Sequence, residues 1–111
     1  IGTGPGLELF EIEAPVHQPA AALNDNGLNH LAVYVDDVDA AVRRMVAAGG
    51  QMLSEVHGNS RYEDTPGNAS VYARAPWGTL IELQSIPGGY HYPQDAEAEV
   101  WLPPLRDVGQ G

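Results

Sequence analysis

Residues 27–35 read Gly27-Leu28-Asn29-His30-Leu31-Ala32-Val33-Tyr34-Val35, and the way this stretch alternates decides how the rest of the chain is read. As a strand it sends successive side chains to opposite faces. Asn29, Leu31, Val33 and Val35 then share one face, suited to a core. Leu28, His30, Ala32 and Tyr34 share the other. An imidazole on such a half-apolar face needs a hydrogen-bond partner or a metal ion, and the chain must supply that partner.

Downstream, Asp36-Asp37-Val38-Asp39 is an acidic helix start that caps free backbone N–H groups and complements the helix dipole. Val38, Ala41, Val42, Met45 and Val46 recur at helical spacing, and Gly49-Gly50 supplies the stop. Residues 51–56, 70–75 and 79–86 read as three strands. Between the first two, residues 57–69 form a long loop rich in Gly, Asn, Asp and Pro, and Pro76-Trp77-Gly78 is a tight turn. The order over 27–86 is therefore strand, helix, strand, strand, strand.

Upstream, residues 7–12 (Leu7-Glu8-Leu9-Phe10-Glu11-Ile12) read as a strand that ends near Pro15, with Glu8, Phe10 and Ile12 on one face. Residues 14–26 carry Pro, Ala and Asn without a period and read as a linker. Beyond residue 86 the chain places Tyr90, Tyr92 and Trp101 among Gly and Pro, as in an extended segment packed across a surface, with Trp101 as an anchor. Four segments result: 1–13, a last strand of a preceding unit; 14–26, a linker; 27–86, the main module; and 87–111, a tail.

With 111 residues there is room for one domain with its own core. Fifteen acidic against five basic residues give a formal charge of −10, which disfavours nucleic acid or an anionic membrane as partner. No cysteine is present, so disulfides, thiolate ligands and a cysteine nucleophile are excluded. No apolar run approaches a membrane span, and a cytoplasmic location is expected.

In the last strand of the module Leu80, Glu82, Gln84 and Ile86 share a face. Glu82 is the expected partner of His30, because a carboxylate between Ile81 and Leu83 is costly to bury unpaired. Ile81-Glu82-Leu83 also echoes Leu7-Glu8-Leu9 upstream. On pattern alone, a lone histidine such as His30 is more often a hydrogen-bonded core residue than a ligand, and Glu82 is compatible with an outward-facing carboxylate. His17, His57 and His91 have no such partner pattern.

Gly27-Leu28-Asn29-His30, Asp36-Asp37-Val38-Asp39, Ala75-Pro76-Trp77-Gly78 and Leu80-Ile81-Glu82-Leu83, preceded by Leu7-Glu8-Leu9-Phe10, resemble the vicinal oxygen chelate superfamily. That superfamily includes glyoxalases, methylmalonyl-CoA epimerases, extradiol dioxygenases and bleomycin-sequestering proteins. The resemblance implies an α+β fold of βαβββ modules, paired into a half-open barrel of mixed sheet with the helix on the outer face. It also implies His30 and Glu82 as metal ligands, with Glu8 matching the Glu or Gln that a first module contributes. A histidine in the first strand of a first module has no counterpart here.

Imidazole and carboxylate without thiolate suit Zn, Ni, Co, Mn or Fe(II), with positions left for two substrate oxygens. The expected function is a metal-dependent enzyme acting on a small oxygenated substrate by bidentate chelation, either a glyoxalase- or epimerase-like isomerase or lyase or an extradiol-type dioxygenase. Glu82 and Glu8 are its candidate catalytic carboxylates, and Tyr34, Gln84 and Phe10 its candidate pocket lining. The alternative is a metal-free, drug-sequestering protein on the same fold. A lone module exposes a concave sheet face bearing Leu28, Tyr34 and Leu80, so a homodimer or a preceding module is expected to complete the barrel.

Overall fold

In the computed structural model, residue 2 and residues 4–101 are described. The module begins with β1 (His30–Tyr34), which is shorter than the alternation over 27–35 suggests. Gly27 has a φ of 89°, and the Asn29 amide donates to the carbonyls of Leu23 and Asp25 at 3.3 and 3.4 Å. The entry to β1 is therefore a turn, and a turn cannot also pair in a sheet.

Helix α1 (Val38–Ala47) starts where the acidic run places it. Asp37 is the N-cap, and its carboxylate accepts the Ala40 N–H at 2.9 Å. At the other end Gly49 N–H donates to Val46 O and Gly50 N–H to Met45 O, the paired bonds of a Schellman stop. Gly49 sits at φ 92°, where a side chain is strained. Val38, Val42 and Met45 pack on the sheet, whereas Val46 is exposed.

Strand β2 is only Gln51–Met52, although Leu53 N–H still bonds Tyr72 O. Ser54 Oγ donates to the Glu55 carbonyl, a local bond that competes with the ladder, and pairing resumes only as a bridge between His57 and Ser70. The loop that follows holds a 3₁₀ turn at Arg61–Glu63. Strands β3 (Ala69–Arg74) and β4 (Leu80–Ser85) then complete a mixed four-stranded sheet of order β1-β4-β3-β2. β4 runs parallel to β1 and antiparallel to β3.

The helix-facing side of the sheet is the core. Val71 and Ala73 are fully buried and Leu83 is 5 % exposed, with Ala41 over them and Val35, Met52, Val56 and Ile81 at the margin. The result is an α+β fold: an unclosed mixed sheet with one helix on one face. The other face remains open, and Ala32 on it is exposed. On that face Gln84 and Ser70 are buried, and so is Leu80, at 1 % exposed. It lies in the row between His30 and Arg74, so both neighbours shelter it, whereas Leu28, ahead of the strand, is exposed as expected.

The expected strand over 7–12 is unpaired. Leu9, Phe10 and Ile12 are exposed, and no strand for 7–12 to pair with lies beside it among the described residues. Leu102, Pro103 and Pro104, read above as part of the tail, fall outside those residues. No described helix is long and apolar enough to cross a membrane.

Candidate functional site

Register builds the site. Ala32 of β1 is opposite Glu82 of β4, and Glu82 is opposite Tyr72 of β3, so these three form one row on the open face. His30 lies one row away on the same face of β1. Its ring leans over that row, with the centroid 5.4 Å from that of Tyr72 and the planes nearly perpendicular at 73°. Its Nε2 comes to 3.5 Å from Glu82 Oε2, and both side chains remain partly accessible to solvent.

The tautomer follows from the neighbours. Because the Asn29 NH₂ group is committed to two backbone carbonyls, its Oδ1 is the atom that faces His30 Nδ1, at 2.5 Å. An amide oxygen only accepts, so Nδ1 carries the hydrogen and donates it. In the neutral ring Nε2 is then a bare lone pair, and it points at a carboxylate oxygen. A second proton on the imidazole, or a cation, would satisfy both acceptors at this distance.

Two donors bound to one ion at about 2.1 Å stand roughly 3.0–3.4 Å apart for octahedral to tetrahedral angles. The separation of 3.5 Å thus fits a shared divalent ion with little movement. The donor set, one nitrogen and one oxygen, suits Zn, Ni, Co, Mn or Fe(II). Among the described residues no third His, Asp or Glu joins the pair. Glu8 in particular stays on the exposed 7–12 segment and is not brought to His30 and Glu82.

Tyr72 was not singled out from the sequence, yet it touches both members of the pair. Burial, and then the neighbouring charge of Glu82, raise its pKa, so a neutral hydroxyl stands beside the carboxylate across the β3–β4 register. The signal was its place in 70–75, ten residues before Glu82, but the sequence does not reveal which β3 residue stands opposite Glu82.

Gln84 is buried and lies in the row beyond Glu82, beside Tyr34. The Tyr34 hydroxyl is hydrogen-bonded to that of Tyr90, and the Tyr34 ring stacks on Trp101 with centroids 6.2 Å apart and planes at 21°. Trp101 is thus in contact, as an anchor would be, but 62 % exposed. Phe10 does not line this face. It is 77 % exposed and borders a separate open groove with Leu9, Ile12, Trp77 and Thr79. Tyr62 packs on Tyr92.

Comparison with known proteins relates the chain to one superfamily. A family model described as the glyoxalase/bleomycin resistance protein/dioxygenase superfamily matches residues 2–65, more than half of the chain. A 2-epi-5-epi-valiolone epimerase from Actinomyces sp is 36 % identical over 107 residues, which cover 93 % of this chain and 57 % of that protein. The chain therefore spans little more than half the length of this relative. A glyoxalase family protein from Bacillus cereus, solved by crystallography, aligns with a TM-score of 0.49 and 26 % identity over 60 % of this chain and 41 % of its own. By family match and sequence identity, the chain belongs to the glyoxalase/bleomycin resistance protein/dioxygenase superfamily.

Proposed function

We propose that this chain carries part of the active site of a metal-dependent isomerase of the epimerase type. Its substrate is a small oxygenated compound whose carbonyl and neighbouring hydroxyl chelate the ion. One observation carries the reading: Asn29 orients His30 so that a bare Nε2 faces Glu82 Oε2 at 3.5 Å, an arrangement that a divalent cation satisfies. The similarity to an epimerase supports this choice of reaction over lyase or dioxygenase chemistry.

His30 and Glu82 would hold the ion. When bound, it would polarise the substrate carbonyl and lower the cost of removing the adjacent proton. Glu82 would take that proton, and an acid from the second unit on the opposite side of the substrate would return one to the other face, while Tyr72 stands opposite Glu82 across β3 and β4. Proton removal and return on opposite faces inverts the carbon, with no net change in atoms.

The remaining ligands come from a second unit, either a preceding module or a second copy of the chain around a two-fold axis. The unpaired, apolar 7–12 segment and the open sheet face favour such a partner.

The test is hydrogen exchange. Dihydroxyacetone in D₂O, followed by proton NMR with Zn, Co or Mn supplied, should lose its carbon-bound protons faster with the protein than with the same metal and His30→Ala. Equal rates would overturn the proposal.

A further inference from the structure

The tail crosses the same face of the sheet as His30 and Glu82, and a buried side chain holds it there. Asn68, 7 % exposed, donates to the carbonyls of Glu63 and Gly89 at 3.1 and 2.8 Å and accepts the Gly88 N–H at 2.9 Å. His91 N–H adds a bond to Tyr62 O at 2.7 Å. Gly88 approaches so closely that a Cβ would meet Thr65 and the Pro66 carbonyl oxygen. This path delivers Tyr90 to Tyr34.

Along β1 the open face reads His30, Ala32, Tyr34, about 6.6 Å per step of two residues. The middle residue has the smallest side chain and is exposed. The exposed Ala32 therefore lies between His30, with its partner Glu82, and the group formed by Tyr34, Tyr90 and Trp101.

We propose that Tyr34, Tyr90 and Trp101 form the second wall of the site and bind an uncharged, polyhydroxylated ring. This rests on the reading that substrate occupies the His30–Glu82 face, and it names the substrate class. Two phenols joined by one hydrogen bond use one of their two O–H groups on each other. The second O–H and the spare lone pairs are left for ligand hydroxyls. Burial, and then the bond to Tyr34, raise the Tyr90 pKa, so Tyr90 keeps its proton for donation. Trp101, stacked on Tyr34 yet 62 % exposed, offers ring surface to the C–H face of such a substrate. The net charge of −10 and the Glu82 carboxylate favour a neutral polyol over a phosphorylated one.

The chain has two tryptophans, and Trp77, on the 76–78 turn, bonds Thr79. In Trp77→Phe, Trp101 is therefore the sole indole reporter. Titration of this variant with 2-keto-myo-inositol should give a saturable change in emission, whereas cyclohexanone at equal concentration should not. Adding Tyr90→Phe, or separately Tyr34→Phe, should weaken the apparent affinity about tenfold, as expected for a lost hydrogen bond of roughly 1.4 kcal/mol, with circular dichroism confirming the fold of each. A silent Trp101, an equal response to cyclohexanone, or unchanged affinity in both tyrosine variants overturns the proposal. Metal binding with a silent Trp101 defeats the wall alone. A tyrosine-dependent Trp101 response without metal binding supports the wall and defeats the metal reading.

Discussion

Asn29 decides which nitrogen of His30 faces Glu82: its Oδ1, at 2.5 Å from Nδ1, can only accept, so Nε2 is the atom presented to the carboxylate. Loss of the hydrogen-bond partner on the far side of a metal-binding imidazole typically costs about 10–100-fold in metal affinity. Asn29→Ala should therefore weaken divalent-ion binding by roughly tenfold or more while helix content is unchanged. Calorimetric titration of both proteins with Zn²⁺ checks this, and equal affinities would remove Asn29 from the account.

Leu83 lies at the centre of the helix-facing core at 5 % exposure, with Val71 and Ala41 around it. Leu83→Ala should cost about 3 kcal/mol, read as a shift in the urea midpoint. Phe10→Ser, at a side chain 77 % exposed, should leave that midpoint unchanged in dilute protein. It should instead weaken self-association in sedimentation if a second copy covers the 7–12 segment.

The caps of α1 were legible from Asp37 and from Gly49-Gly50 because their chemistry is local: a carboxylate reaching Ala40 N–H and a residue at positive φ. The pairing of His30 with Glu82 was legible for a similar reason, since each strand's alternation assigns its own face and a shared face follows. Strand 7–12 was not, because a strand needs a partner, and alternation says nothing about whether one is present. Phe10, on that segment, borders the groove with Trp77 and Thr79 rather than the face of His30 and Glu82. Tyr72 and the Tyr34–Tyr90 contact escaped because they depend on register across β3–β4 and on the path of the tail, which no local pattern encodes.

Helix α1 should respond to its caps in the usual measure. Asp37→Ala removes the acceptor of the Ala40 N–H and should cost about 1 kcal/mol. Gly49→Ala forces a side chain to φ 92° and should cost about as much. Thermal unfolding followed at the helical band checks both, and a neutral Gly49→Ala would mean that the stop can rearrange without strain.

Tyr90 has its pKa raised, first by burial and then by the bond to Tyr34. A raised pKa means that the folded state holds the proton more tightly than the unfolded chain. Its contribution to stability is thus fully present below the unfolded tyrosine value of about 10 and is lost as the pH rises beyond it. Urea midpoints taken from pH 8 to 11 should fall above pH 10, and the fall should be shallower in Tyr90→Phe. An identical slope in the variant would show that Tyr90 does not carry this dependence.

The central claim is that His30 and Glu82 share a divalent ion, and direct metal titration tests it most closely. Wild-type protein stripped with chelator, then titrated with Co²⁺ under calorimetry and visible absorption, should bind one ion per assembled site. His30→Ala and Glu82→Gln should each lose that binding by about a hundredfold or more with unchanged circular dichroism. Binding of equal strength in either variant, or no stoichiometric binding in the wild type, would contradict the account.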